Sequence, residues 1–248
     1  MNIKAALKYQ LEDHKKSIII FYITILSVYL IIITSIWGVS KNVQISGNIN
    51  GMGIATAIFL FISGLCSFKE NFFMLGQNGV SRKTIFESRV IVNIIVALGM
   101  AIIDKVIWTV FVAIADSTEG LEFATLFETA YGNGLNIKSI LLKNLADIWF
   151  NLLVSLVCLF IGYFITLMFY RLSKAGRAIV GAGVPVFITV VLPIIDSALA
   201  GGRIGKFLWD FAVFTMGTFD RFIISSIVFS AVFAALSWVL MRKAPVRQ

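Results

Sequence analysis

Long apolar runs and short polar breaks alternate along this chain. Residues 17–39, 52–68, 90–115, 148–169, 178–195 and 222–240 are each dominated by Ile, Leu, Val, Phe and Ala. A run of about 20 such residues is long enough to cross a hydrocarbon core of ~30 Å as an α-helix. The pattern predicts an all-α membrane protein in a single transmembrane domain with six spans. Before the first span, residues 1–16 place Ile3, Ala6, Leu7 and Leu11 at helical spacing with lysines on the other faces. This predicts a helix lying in the membrane interface. Residues 197–220, before the last span, are too polar at their ends to cross and predict a non-spanning or re-entrant segment.

Composition agrees with the pattern. The chain is 59% hydrophobic and 14% charged, against about 25% charged in an average soluble domain. The net charge of +8 could suggest nucleic acid, but no basic face interleaved with exposed aromatics is present. The basic residues sit instead at the ends of the apolar runs. Segments 1–16, 68–89 and 171–177 and the C-terminal tail hold 14 Lys and Arg, and the alternate loops hold 6. By the positive-inside rule the first set is expected to face the cytoplasm, which places both termini there. No cleavable signal peptide is expected, because no small-residue cleavage site follows the first apolar run.

Several chemistries are absent. His14 is the single histidine, so neither a His-based metal site nor an H-E-x-x-H motif can be built. Cys66 and Cys158 lie in or beside apolar runs and predict small buried hydrophobes, with no disulfide. The segment AGGRIGKF, residues 200–207, lacks the first Gly and the final Ser/Thr of a phosphate-binding loop. No enzyme activity, cofactor or metal is expected of this chain.

Three constellations remain. The first is FKENFFMLGQNGVSRKTIF, residues 68–86. Its first part predicts a short amphipathic helix stopped at Asn78-Gly79, followed by a new helix capped by Ser81. It reads as a loop touching the lipid interface or as a docking helix that presents Phe72 and Phe73 to a soluble partner. The second is Asp104–Lys105 within the third apolar run. Charged residues there are costly, roughly 2.5–3.5 kcal/mol each, and neighbours in sequence do not face each other on a helix. The pair therefore needs partners on other helices, lines a translocation pathway, or snorkels at the outer boundary. The third is Phe207, Trp209, Phe211 and Phe214, an aromatic amphipathic element that reads as an interfacial anchor. Gly181, Gly183 and Pro185 in the fifth run predict close helix approach and a kink.

The pattern of Phe68, Leu75, Gly76, Gly79, Val80, Ser81, Arg82, Lys83 and Phe86 after the second span resembles the ABC-2 permeases, the membrane subunits of bacterial ABC exporters. The six spans, the N-terminal helix and the non-spanning segment agree with that resemblance over nearly the whole chain. Size and plan are similar to the membrane subunit of phenol-soluble modulin exporters. The resemblance implies a permease paired with a second copy or a related chain and with cytoplasmic ATPase subunits, which would bind ATP and Mg. It implies that residues 71–80 form the coupling helix, with Asn71, Phe72, Phe73, Leu75, Gly76, Gly79 and Arg82 as contact residues, and that 197–220 forms an outer gate. The cargo implied is hydrophobic or amphipathic, such as a peptide toxin. A different class, a membrane immunity or sensor protein that binds peptide without pumping, fits the same pattern.

Overall fold

The computed structural model describes residues 3–39, 47–49, 52–115, 121–132 and 139–244. It is an all-α membrane-type bundle. Its long helices are α1 (Ile3–Val39), α2 (Met52–Cys66), α4 (Arg82–Ala115), α6 (Ile140–Arg171), α7 (Lys174–Val186) and α10 (Phe219–Arg242). Shorter helices are α3 (Lys69–Gln77), α5 (Leu126–Tyr131), α8 (Leu192–Ile195) and α9 (Arg203–Met216). Wider π-type turns at Phe187–Val191 and Asp196–Ala200 continue α7 through α8, so that Lys174–Ala198 runs as one 25-residue helix before the turn into α9. Two three-residue strands, β1 (Gly47–Ile49) and β2 (Leu121–Phe123), pair in parallel and tie the segment before α2 to the one before α5.

Among the described residues, five helices are long and apolar enough to cross a membrane. A sixth crossing is completed only if α2 and α3, bent by 41° at their junction, count together. The expected 52–68 span is thus a 15-residue helix followed by a break. At 1.5 Å per residue, α2 reaches only about 22 Å. The expected interfacial helix is also revised. Residues 3–39 form one unbroken helix, without a boundary at Ser17. The helices of the expected third and fourth spans, α4 and α6, begin earlier than those spans because the polar residues at their starts form helical turns rather than loops.

One end of the bundle is built from both ends of the described chain. Ala6, Phe68, Phe72, Leu75, Val80, Ile85, Tyr163, Leu167, Met241 and Ala244 form a single buried cluster. It joins α1, α3 and the start of α4 to the ends of α6 and α10, and is called the terminal end below. At the far end, Phe127, Phe150 and Phe222 anchor α5 against α6 and α10. Between them, Tyr22, Leu60, Val92, Val96, Met100 and Leu159 fill the centre.

The closest helix approach is between α2 and α6. A Cβ on Gly64 would lie 2.6 Å from the Leu159 carbonyl, and one on Gly162 would lie 2.4 Å from the Phe61 carbonyl. Small residues at such crossings let backbones touch where lipid offers no hydrophobic drive. Gly181 and Gly183, expected to serve this purpose, meet only the Phe169 ring and the Ile179 side chain. Helices α7, α8 and α9 bury no side chain; their apolar surface faces outward.

Candidate functional site

Two buried polar layers cross the apolar bundle, both centred on α4. In the far half, Asp104 and Lys105 point to different neighbours, as residues 100° apart on a helix must. Asp104, 4% exposed, receives the Tyr22 hydroxyl of α1 on Oδ1 at 2.8 Å. The same hydroxyl lies 3.2 Å from the Met100 carbonyl. Thr56 of α2 lies beside Asp104. Neither the Thr56 hydroxyl nor Asp104 Oδ2 completes a strict hydrogen bond among the described residues. Lys105 donates to Asp147 Oδ2 of α6 at 2.8 Å. Asn151, one turn along α6, donates to the Asp147 backbone and side chain at 3.1 and 3.2 Å. Both residues therefore point to partners on other helices, with Asp104 Oδ2 left without one. A cavity of about 20 Å³, lined by Asp104, Lys105, Thr125, Asp147 and Asn151, lies between them and α5. That is room for about one water.

Above this layer α5 is closed by a reciprocal cap. Thr125 accepts from the Glu128 N–H, and Glu128 accepts from the Thr125 N–H at 2.8 Å. Glu128 also pairs with Lys143 of α6. Burial works to raise the Glu128 carboxyl. The hydrogen bonds from Lys143 and the Thr125 N–H, with the Lys143 charge, outweigh it and hold the group below the usual carboxylate value.

The layer in the terminal half was not foreseen. Arg89 had been counted with the cytoplasmic loop, yet it is 2% exposed. None of its three nitrogens has a hydrogen-bond partner among the described residues. Its guanidinium sits over the Tyr163 ring of α6, 5.7 Å from the centroid. Gln10 and His14 of α1 enter the same region. Gln10 donates to Ser88 at 2.9 Å, and His14 Nδ1 lies 3.1 Å from the Ser63 hydroxyl of α2. Asn93, one turn beyond Arg89, is buried with both side-chain polar atoms unpartnered. A helical reading of 82–93 would have shown Arg89 and Asn93 on one face.

Helix α3 lies beside this layer. Its helix stop is as expected: Gly79 has φ +71°, and the Val80 N–H returns to the Leu75 carbonyl at 3.0 Å. Only glycine takes that conformation without strain. Ser81 then caps α4 by accepting the Thr84 N–H at 3.1 Å, and Arg82 donates to the Arg242 carbonyl at the end of α10 at 2.8 Å. The direction of its side chains differs from expectation. Phe72 and Leu75 are buried, with Phe72 stacked on Phe68 at 5.0 Å. Asn71 is buried and donates to Asp13 of α1 at 3.0 Å. These residues hold α3 to the bundle, and only an edge of Phe72 reaches the surface. Phe73, Gly76, Gln77 and Arg82, with the edges of Phe72, Val80 and Ile85, line an open groove of about 260 Å³.

At the far end Phe207, Trp209, Phe211 and Phe214 are exposed along α9. The turn into α9 passes through Gly201 and Gly202 at φ +57° and +80°. The buried Asp196 carboxylate closes it, accepting the Ile204 and Gly205 N–H groups at 2.8 Å each. Phe211 meets Phe229 of α10 edge-on, and Arg221 lies over the Phe214 ring at 4.9 Å. Cys66 is exposed rather than buried, and it and Cys158 are free thiols. Among the described residues no cluster of metal-ligating side chains occurs.

Comparison of the chain with protein-family models, curated proteins and solved structures gives no match.

Proposed function

We propose that this chain is the membrane-spanning subunit of an ATP-driven exporter, with hydrolysis by a separate cytoplasmic ATPase. The observation carrying this reading is α3. It is a nine-residue helix set at 41° to α2 and clamped through Phe68, Phe72 and Leu75 to α1, α4, α6 and α10. A push on such a helix moves four long helices together, which is what coupling to a partner requires. The terminal end carries the basic segments, so the positive-inside rule puts α3 in the cytoplasm. The docking surface is then the groove of Phe73, Gly76, Gln77 and Arg82. Phe72 and Leu75 anchor it from behind. The unburied α7–α9 surface meets lipid and a second copy, and Phe207, Trp209, Phe211 and Phe214 stand at the outer mouth. A hydrophobic or amphipathic peptide is the cargo class such apolar surfaces suit.

Affinity purification of this chain from its host's membranes, probed for a co-purifying ATPase, tests the reading. Gly76→Trp, which fills the groove where the glycine has open space, should abolish co-purification while the protein remains monodisperse. Unchanged co-purification and unchanged ATP-dependent peptide export in this variant would reject α3 as the coupling element. Peptide binding with no ATPase partner would favour a non-pumping immunity or sensor protein.

A further inference from the structure

We propose that Asp104 is a proton-binding site inside the membrane, with the proton on Oδ2 and Thr56 as its acceptor. The inference concerns the far polar layer alone and does not rest on the exporter reading. The layer holds two carboxylates, Asp104 and Asp147, and one ammonium, Lys105. Lys105 is taken up by Asp147 at 2.8 Å. What faces Asp104 from the helices around it is neutral: Tyr22 and, further off, Tyr29 from α1, and Thr56 from α2. Asp147 of α6 adds only like charge. A carboxylate buried among apolar side chains without a counter-charge takes up a proton rather than remain charged.

The geometry says which oxygen takes it. Tyr22 donates to Oδ1, leaving that atom as the carbonyl oxygen of the acid. Oδ2 has no donor, and the Thr56 oxygen beside it has no partner either. An O–H bond formed at Oδ2, the oxygen that Tyr22 leaves free, can be accepted by the unpartnered Thr56 oxygen. The proton comes from water, and the one-water cavity lined by Asp104, Lys105 and Thr125 is where it can be delivered. A metal cation is a poor alternative there, because the Lys105 ammonium forms part of the same wall. A proton held this way is released when the layer opens to water, so the closed and open forms of the bundle differ by one proton.

Infrared spectroscopy of the protein in bilayers at neutral pH tests this without any transport assay. The C=O stretch of a carboxylic acid should be present and should move on labelling with isotopic aspartate. It should persist when Lys105→Met and Asp147→Leu are combined, which removes the pair without freeing the ammonium, and vanish in Asp104→Asn. Tyr22→Phe removes the hydrogen bond to Oδ1 and should shift the band to higher frequency. That variant decides the matter if Asp104→Asn fails to accumulate. No aspartate-sensitive band, a band surviving Asp104→Asn, or a band unmoved by Tyr22→Phe would overturn the proposal. So would its collapse on adding sodium at constant pH.

Discussion

The two polar layers lie on one helix, 15 residues and roughly 22 Å apart along α4, and they are held in opposite ways. In the far layer the side chains find one another: Lys105 reaches Asp147, Tyr22 reaches Asp104, and Asn151 backs Asp147. In the terminal layer a guanidinium rests on an aromatic ring, and Gln10, His14, Asn71 and Asn93 each retain an unpartnered polar atom. The difference teaches where the bundle resists change. The short ion pair between α4 and α6 locks one register, because sliding either helix would strand a charge. A layer of unsatisfied groups has little to lose by rearranging, and water or a new partner can only improve it. The looser layer is also the one beside α3.

The largest test of this contrast is in the far layer. Asp147→Ala strands Lys105, and removing one partner of a buried pair costs about 3–5 kcal/mol. Thermal unfolding in detergent should fall sharply, and Lys105→Met with Asp147→Leu should recover most of the loss. A small loss in the single variant would mean that the far layer is wet and no more rigid than the terminal one. The terminal layer should answer in the opposite sense. Arg89→Met removes an unpaired buried charge and keeps the chain length, so the melting temperature should stay level or rise by the equivalent of about 1 kcal/mol. A marked fall would show that Arg89 has a satisfied partner and that the contrast is false. The smallest effect is at the rim of the far layer. Glu128 is held below its usual value in the folded state. Its contribution is therefore full above the unfolded carboxylate value, about 4.3, and is lost as pH falls through the lower folded value. Acid melts of Glu128→Gln should lack that portion of the wild-type pH dependence, which would sharpen how far the rigid region extends toward α5.

Much of the architecture could be read from one dimension. Hydropathy located the long helices, because each must satisfy its own backbone in lipid. The glycine at 79 and the serine at 81 marked a helix stop and a restart, because both signals are local. The charge of Asp104 and Lys105 left partners on other helices, a pathway and a boundary all open, and the packing supplies partners. The partners themselves were out of reach. Asp147 sat just outside an apolar run and looked like a loop residue. Tyr22 was one aromatic among many. Arg89 was counted as a loop cation because a basic residue after a glycine turn usually marks a membrane boundary. Phe72 and Leu75 looked like an outward face because α3, taken alone, has two faces and nothing in the chain says which one packs.

By itself, then, the sequence determined the class, the helices and the asymmetry of charge between the two ends, since these follow from solvent preference and backbone hydrogen bonding along a single segment. Only the tertiary structure decided which side of α3 is free, which glycines carry the crossing of α2 and α6, and that α4 holds a paired layer and an unpaired one. Those outcomes depend on which helix lies beside which, a relation between residues some tens of positions apart that no local pattern encodes.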